Sequence, residues 1–246
     1  MAHLRCDFRS EVLQMGTSMT VFLPESIRTE EADVVYLLHG LEDNCTGWTR
    51  YTSVERYARS YNLVVIIPEV QRSFYTDMVM GLKYFTFIHD ELPDICRRMF
   101  NITAKPEKTY VMGLSMGGYG AMKCLLRSPS RYAGCAAFSM AADIQNNVKT
   151  SVEPRRTEYK AIFGEDLKVG EEDDLYALLK GLSGVKLPPV YIACGRQDSL
   201  FDENRLFAEA IAKTGCLKRF DAFDGVHNWV FWDEAVKRAF DLFFGK

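Results

Sequence analysis

Ser115 stands in the run Gly113-Leu114-Ser115-Met116-Gly117, with apolar Thr109-Tyr110-Val111-Met112 before it and Gly118-Tyr119-Gly120 after it. A serine hydroxyl is a weak nucleophile until a neighbouring base takes its proton. A strand that turns sharply into a helix projects the hydroxyl toward such a base. The helix start behind it offers free N–H groups for developing negative charge. Glycines at 113 and 117 suit that turn, because side chains there would meet the adjoining strand and helix. The chemistry this spacing predicts is nucleophilic acyl transfer.

Ser115 needs a base and an orienting acid. The chain has four histidines, His3, His39, His89 and His227. After an elbow of this kind the order is nucleophile, acid, histidine, and only His227 follows Ser115. Its neighbourhood, Phe223 to Trp229, reads as a turn between the last predicted strand and the last predicted helix. For the acid, Asp198 leaves the strand at 190–194 through Gly195-Arg196-Gln197, where it would hold one imidazole nitrogen. Asp202 is the alternative, with capping of the next helix as its ordinary role. The oxyanion donors expected are the N–H of Met116, next to the nucleophile, and that of Leu41, after His39-Gly40. His39 reads as a residue that orients this loop. Trp48, Tyr75 and Trp229 fall on loops or helix starts near the expected mouth. They would line an acyl or aromatic pocket, although loop aromatics pack as satellites at least as often.

The elements that must carry these groups alternate along the chain. The opening, 4–23, alternates polar and apolar residues around Gly16 as an antiparallel hairpin would. Apolar runs follow at 34–38, 63–68, 109–112, 134–139 and 190–194, and a more polar edge strand at 217–223. Helical patterns lie at 54–61, 82–100 (ended or kinked by Pro93), 116–127, 206–213 and 232–244. Such alternation predicts an α/β fold, with a mostly parallel central sheet, an antiparallel N-terminal hairpin and helices on both faces. Residues 1–246 read as one domain, with 141–186 a polar, cap-like insertion over the mouth of the sheet.

Composition narrows the class. The net charge of −3 comes from interspersed acids and bases, which predicts neither a nucleic-acid nor a membrane surface. The first ten residues carry Arg5, Asp7 and Arg9 and no apolar signal core, and no apolar run is long enough to span a bilayer. The expectation is a soluble, cytoplasmic protein. Seven scattered cysteines without a C-x-x-C pair predict small buried hydrophobes and no metal site.

The ordered set Val35-Tyr36-Leu37-Leu38-His39-Gly40, Gly47-Trp48, Asn62-Leu63-Val64-Val65, Phe74-Tyr75-Thr76-Asp77, Glu91-Leu92-Pro93, Gly113 to Gly120, Cys194-Gly195-Arg196-Gln197-Asp198 and His227-Asn228-Trp229 spans nearly the whole chain. It resembles the esterase D-like branch of the α/β-hydrolases, and within it the bacterial tributyrin esterases. The resemblance implies a cytosolic serine carboxylesterase for short acyl esters that uses no cofactor. It implies Ser115 as nucleophile, Asp198 as acid, His227 as base, and Leu41 and Met116 as oxyanion donors. It also favours a homo-oligomer and a small-molecule ester as partner. Relatives of this branch include S-formylglutathione hydrolases and enzymes that remove acetyl or feruloyl groups from plant polysaccharides. The alternative substrate is therefore an acetylated or feruloylated carbohydrate. The loop 41–46 departs from the formylglutathione hydrolase pattern.

Overall fold

Short runs bounded by turn residues, the inner ones apolar, pair into a single eight-stranded sheet in the computed structural model, which describes residues 1–245. The strands are β1 (Ala2–Ser10), β2 (Met15–Leu23), β3 (Val34–Leu38), β4 (Val64–Pro68), β5 (Thr109–Leu114), β6 (Gly134–Phe138), β7 (Val190–Gly195) and β8 (Leu217–Phe223). Their order is β1-β2-β4-β3-β5-β6-β7-β8. β1 and β2 form the antiparallel hairpin, β2 runs antiparallel to β4, and the strands from β4 to β8 are mutually parallel. Six carboxyl ends therefore open on one edge of the sheet, which is where open α/β sheets hold ligands.

Successive strand residues face opposite sides, and here both sides are covered. Val34, Tyr36 and Leu38 of β3 enter one core, while Val35 and Leu37 enter the other. That is why these strands read as unbroken apolar runs rather than as alternations. The helix after β5, Met116–Arg127, is buried at every position from Met116 to Leu126. It can be so because residues 141–186 pack over it, carrying the helices Ile144–Lys149, Arg155–Phe163 and Leu175–Gly181. Lys123, wholly buried within that helix, donates to the Tyr75 carbonyl (2.9 Å), to Thr76 Oγ1 (2.9 Å) and to the Asp173 carboxylate. Three donors meet three acceptors, so the buried ammonium is fully satisfied. Asp173 belongs to the 141–186 segment, and its carbonyl also accepts the Tyr119 hydroxyl at 2.6 Å.

Some expectations shift. The hairpin turns at residues 11–14 rather than around Gly16, which pairs with Arg9 inside the ladder. Gln14 takes φ 54°, and the free N–H groups of Glu11 and Val12 donate to Glu91 at 2.7 and 3.3 Å. A carboxylate eighty residues away completes this turn, which no local pattern records. The helix expected over 82–100 begins at Tyr84 and passes through a π-helical turn, Phe87–Glu91, before the α-helix Leu92–Phe100. Pro93 has no N–H to return to the preceding turn, and the wider turn takes up its ring instead of ending the helix. The helices expected at 206 and 232 start earlier, at Phe201 and Trp229.

Candidate active site

At the end of β5 the chain reverses into a helix through Ser115, whose φ of 52° and ψ of −118° lie outside the regions a side-chain-bearing residue prefers. Holding it there costs on the order of 1–3 kcal/mol. The Ser115 N–H donates to the Phe138 carbonyl at 2.8 Å, and its own carbonyl accepts from Tyr119 at 3.1 Å and Ala141 at 3.4 Å. The glycines permit the approach this demands. A Cβ on Gly113 would lie 2.3 Å from the Gly117 carbonyl oxygen, and one on Gly117 would lie 2.4 Å from that of Leu38.

The loops after β7 and β8 bring the other two groups together. Arg196 N–H donates to the Phe223 carbonyl (2.9 Å), Gln197 N–H to that of Gly225 (3.1 Å), and Gly225 N–H to Gln197 Oε1 (2.8 Å). With the loops locked, His227 Nδ1 lies 2.9 Å from Asp198 Oδ2 and 3.2 Å from Oδ1, and its Nε2 lies 3.0 Å from Ser115 Oγ. A nitrogen facing a carboxylate donates, so Nε2 is left to accept the serine proton. The Asp198 side chain is fully buried. Burial alone would raise its pKa, but hydrogen bonds from His227, the Leu200 N–H and the Ser139 hydroxyl outweigh this and hold the carboxyl below the usual range. Trp232 stands perpendicular to the imidazole with ring centres 4.9 Å apart, limiting its swing. Asp202 faces outward beside Arg205 at 3.7 Å, in the first turn of Phe201–Ala212.

The loop after β3 reaches the same place. His39 Nδ1 is 2.7 Å from the Gly40 carbonyl, and His39 Nε2 accepts the Val70 N–H at 3.2 Å. The proton therefore sits on Nδ1, and the imidazole grips the Gly40 carbonyl. In a trans peptide the next N–H points the opposite way, so fixing that carbonyl aims the Leu41 N–H. Neither Leu41 nor Met116 N–H has a partner among the described residues.

These groups open on a cavity of about 390 Å³, with Leu41, Ser115, His227, Trp229, Trp232 and Arg155 on its walls. Of the three aromatics expected near the mouth, Trp229 lines it. Trp48 and Tyr75 do not: both are fully buried, with Trp48 Nε1 donating to the Leu38 carbonyl (3.1 Å) and Tyr75 hydroxyl to that of His39 (2.9 Å). They brace the end of β3 from either core. Arg155 and Trp232 escaped the sequence reading. Arg155 comes from the 141–186 segment with no motif around it, whereas Trp232, five residues beyond His227 in the last helix, was open to helical-spacing arguments.

A second Ser–His–Asp set shows why distances alone do not make such a site. His89 lies 2.7 Å from Asp90 Oδ1 and 2.9 Å from Ser128 Oγ. Ser128, however, ends a helix, where carbonyls rather than N–H groups are exposed. Its own N–H is spent on Cys124, and the next residue, Pro129, has none. Among the described residues no three His, Cys, Asp or Glu side chains gather as a metal would require, and no helix is long and apolar enough to cross a membrane.

Comparison with known proteins agrees with this architecture. The Esterase family model matches residues 10–242. An acetyl esterase of Caldicellulosiruptor saccharolyticus is 30% identical over 259 residues, covering 98% of this chain and 97% of that protein. Among solved structures, the fluorophosphonate-binding serine hydrolase F of Staphylococcus aureus is 31% identical with a TM-score of 0.91, over 100% of this chain and 99% of that one. The S-formylglutathione hydrolase of Staphylococcus aureus is 30% identical with a TM-score of 0.87, over 99% and 98%. Since the match and the likeness both run the length of the chain, the protein belongs to this esterase family and is a serine ester hydrolase of the α/β-hydrolase fold.

Proposed function

We propose that the protein hydrolyses short-chain acyl esters through an acyl-enzyme on Ser115. Ser115 Oγ attacks the ester carbonyl while His227 Nε2 takes the hydroxyl proton. The oxyanion that forms accepts the N–H groups of Leu41 and Met116, and the buried Asp198 carboxylate stabilises the imidazolium. Collapse expels the alcohol, which leaves with the proton from His227, and water repeats the sequence to release the acid. The observation that carries this reading is the unbroken contact from Ser115 through His227 to Asp198. The modest cavity and the acetyl esterase relative support a small acyl group. Residues 141–186 act in this scheme as a cap, contributing Arg155 to the cavity wall.

A second reading, an acetylated or feruloylated carbohydrate fragment as substrate, rests on the rim. Tyr51 is half exposed and lies 5.1 Å from Trp229 at an interplanar angle of 33°, a platform on which a sugar or phenolic ring can stack. A panel of p-nitrophenyl acetate, butyrate and octanoate, methyl ferulate and acetylated xylo-oligosaccharide, run with Ser115→Ala as control, tests both. Preference for acetate or butyrate supports the first reading, and a much higher kcat/KM on ferulate or acetylated sugar supports the second. Ordinary turnover by Ser115→Ala would overturn the mechanism.

A further inference from the structure

The cavity that holds Ser115 is also lined by a guanidinium, Arg155, which shares its carboxylate partner with a second guanidinium, Arg72. Arg155 opens the cap helix Arg155–Phe163 and lines the cavity that holds Ser115 and His227. Its contact among the described residues is with the Glu158 carboxylate, through Nη1. That carboxylate is already held in a two-pronged grip by Arg72, with Nε 2.9 Å from Oε1 and Nη2 3.1 Å from Oε2. Arg72 is further anchored through Nη1 to the Leu41 carbonyl at 3.3 Å. One anion therefore serves two cations, and a net positive charge remains.

The geometry assigns that charge to Arg155. Arg72 spends both edges of its guanidinium on Glu158 and Leu41, whereas Arg155 gives one N–H to protein and keeps the rest of its fork free among the described residues. Its side chain is 31% exposed, so the free donors reach the cavity without losing the support of Glu158. Glu42 and Asp43 line the same cavity. Asp43 is turned toward Gly47 and Trp229, and burial pushes its carboxyl above the usual range. Glu42 is exposed. The cavity is thus polarised, with carboxylates on the loop after β3 and a cation on the cap.

We propose that Arg155 is a specificity-determining residue that selects esters carrying a carboxylate, placing the substrate's anion at the cap while the ester carbonyl meets Ser115. The proposal rests on the hydrolytic role assigned to Ser115 and names the substrate class of that site. A guanidinium fork matches a carboxylate in geometry as well as charge. A charge-assisted hydrogen bond of this kind changes kcat/KM by roughly tenfold to a hundredfold.

The test compares two isosteric substrate pairs on the full-length enzyme. 4-Acetoxybenzoate against 4-acetoxybenzamide puts the anion on the alcohol side, and a phenyl hemisuccinate against the corresponding succinamate puts it on the acyl side. The readout is the ratio of kcat/KM within a pair, which cancels any difference in the fraction of folded enzyme. The wild type is expected to favour the anion by tenfold or more in one of the pairs. That ratio should drop tenfold or more in Arg155→Met, recover in part in Arg155→Lys, and decline as salt rises from 0.05 to 0.5 M. Ratios within twofold of unity in both pairs, or a preference that Arg155→Met leaves intact, would overturn the proposal. Failure of the Ser115 assignment looks different: all four esters would then be hydrolysed equally by wild type and Ser115→Ala, or by neither.

Discussion

Replacing Asp173 by Asn removes the counter-charge of a lysine that has no access to water. Lys123 keeps its bonds to the Tyr75 carbonyl and Thr76 Oγ1 and its position over the Phe85 ring at 4.8 Å, but these do not neutralise it. The folded protein then has two ways out. It can keep the uncompensated cation, at about 3–5 kcal/mol for a broken buried pair. Alternatively it can shed the proton, which costs about 1.36 kcal/mol for each pH unit below an ordinary lysine pKa of about 10.4. That second route sets a ceiling of about 4.6 kcal/mol at pH 7 and about 1.9 kcal/mol at pH 9. Burial already lowers the Lys123 pKa, with Asp173 the main force opposing it, so losing Asp173 favours the neutral amine. The expected loss is therefore about 3–4.6 kcal/mol at pH 7, shrinking to about 2 kcal/mol or less at pH 9. Urea unfolding of Asp173→Asn and wild type at both pH values measures it. A loss below about 1 kcal/mol at pH 7, or one that does not shrink at pH 9, would refute the claim that this pair holds a charged lysine in the core.

Two further perturbations bear on the site and its support. Gly117→Ala places a methyl 2.4 Å from the Leu38 carbonyl oxygen and 2.6 Å from that of His39, so the elbow and the end of β3 must part by about 1 Å. A displacement of that size between Ser115 and Leu41 is expected to lower kcat about 100-fold, and turnover within threefold of wild type would contradict the packing argument. Glu203 is the second case. Its Oε2 accepts the Asp143 N–H at 2.8 Å, its Oε1 is buried without a partner, and burial pushes the carboxyl up to about 7. A raised pKa means the folded state holds the proton more tightly. The stability this confers is full below the unfolded value near 4.5 and is lost as pH rises through about 7, a swing of at most about 3.4 kcal/mol. Glu203→Gln is expected to match wild type near pH 5 and exceed its stability by about 1–3 kcal/mol at pH 8, read by urea unfolding at each pH; a difference that stays constant with pH would count against it.

Read from its residues, the chain already disclosed the sheet, the elbow and the strand ends that bear the site. Those features are local: the apolar runs of β3 to β7 and the glycines at 113 and 117 each answer to a backbone geometry a few residues long. The order of Ser115, an acid and His227 followed from how such sheets connect. The choice between Asp198 and Asp202 did not. It depends on the loops after β7 and β8 hydrogen-bonding to each other across nearly thirty residues, which turns Asp198 toward His227 and leaves Asp202 outside. The aromatics show the same division. Trp48, Tyr75 and Trp229 all sit on loops or helix starts, yet the first two are drawn into opposite cores to hold β3 and only the third meets the cavity. Arg155 was the least legible of all. Its place on the wall of the cavity that holds Ser115 is set by how residues 141–186 pack on the helix after β5, through contacts such as Lys123 with Asp173. Local periodicity encodes what a segment is. Where distant segments meet is decided by which buried polar groups must find partners, and only the folded chain answers that.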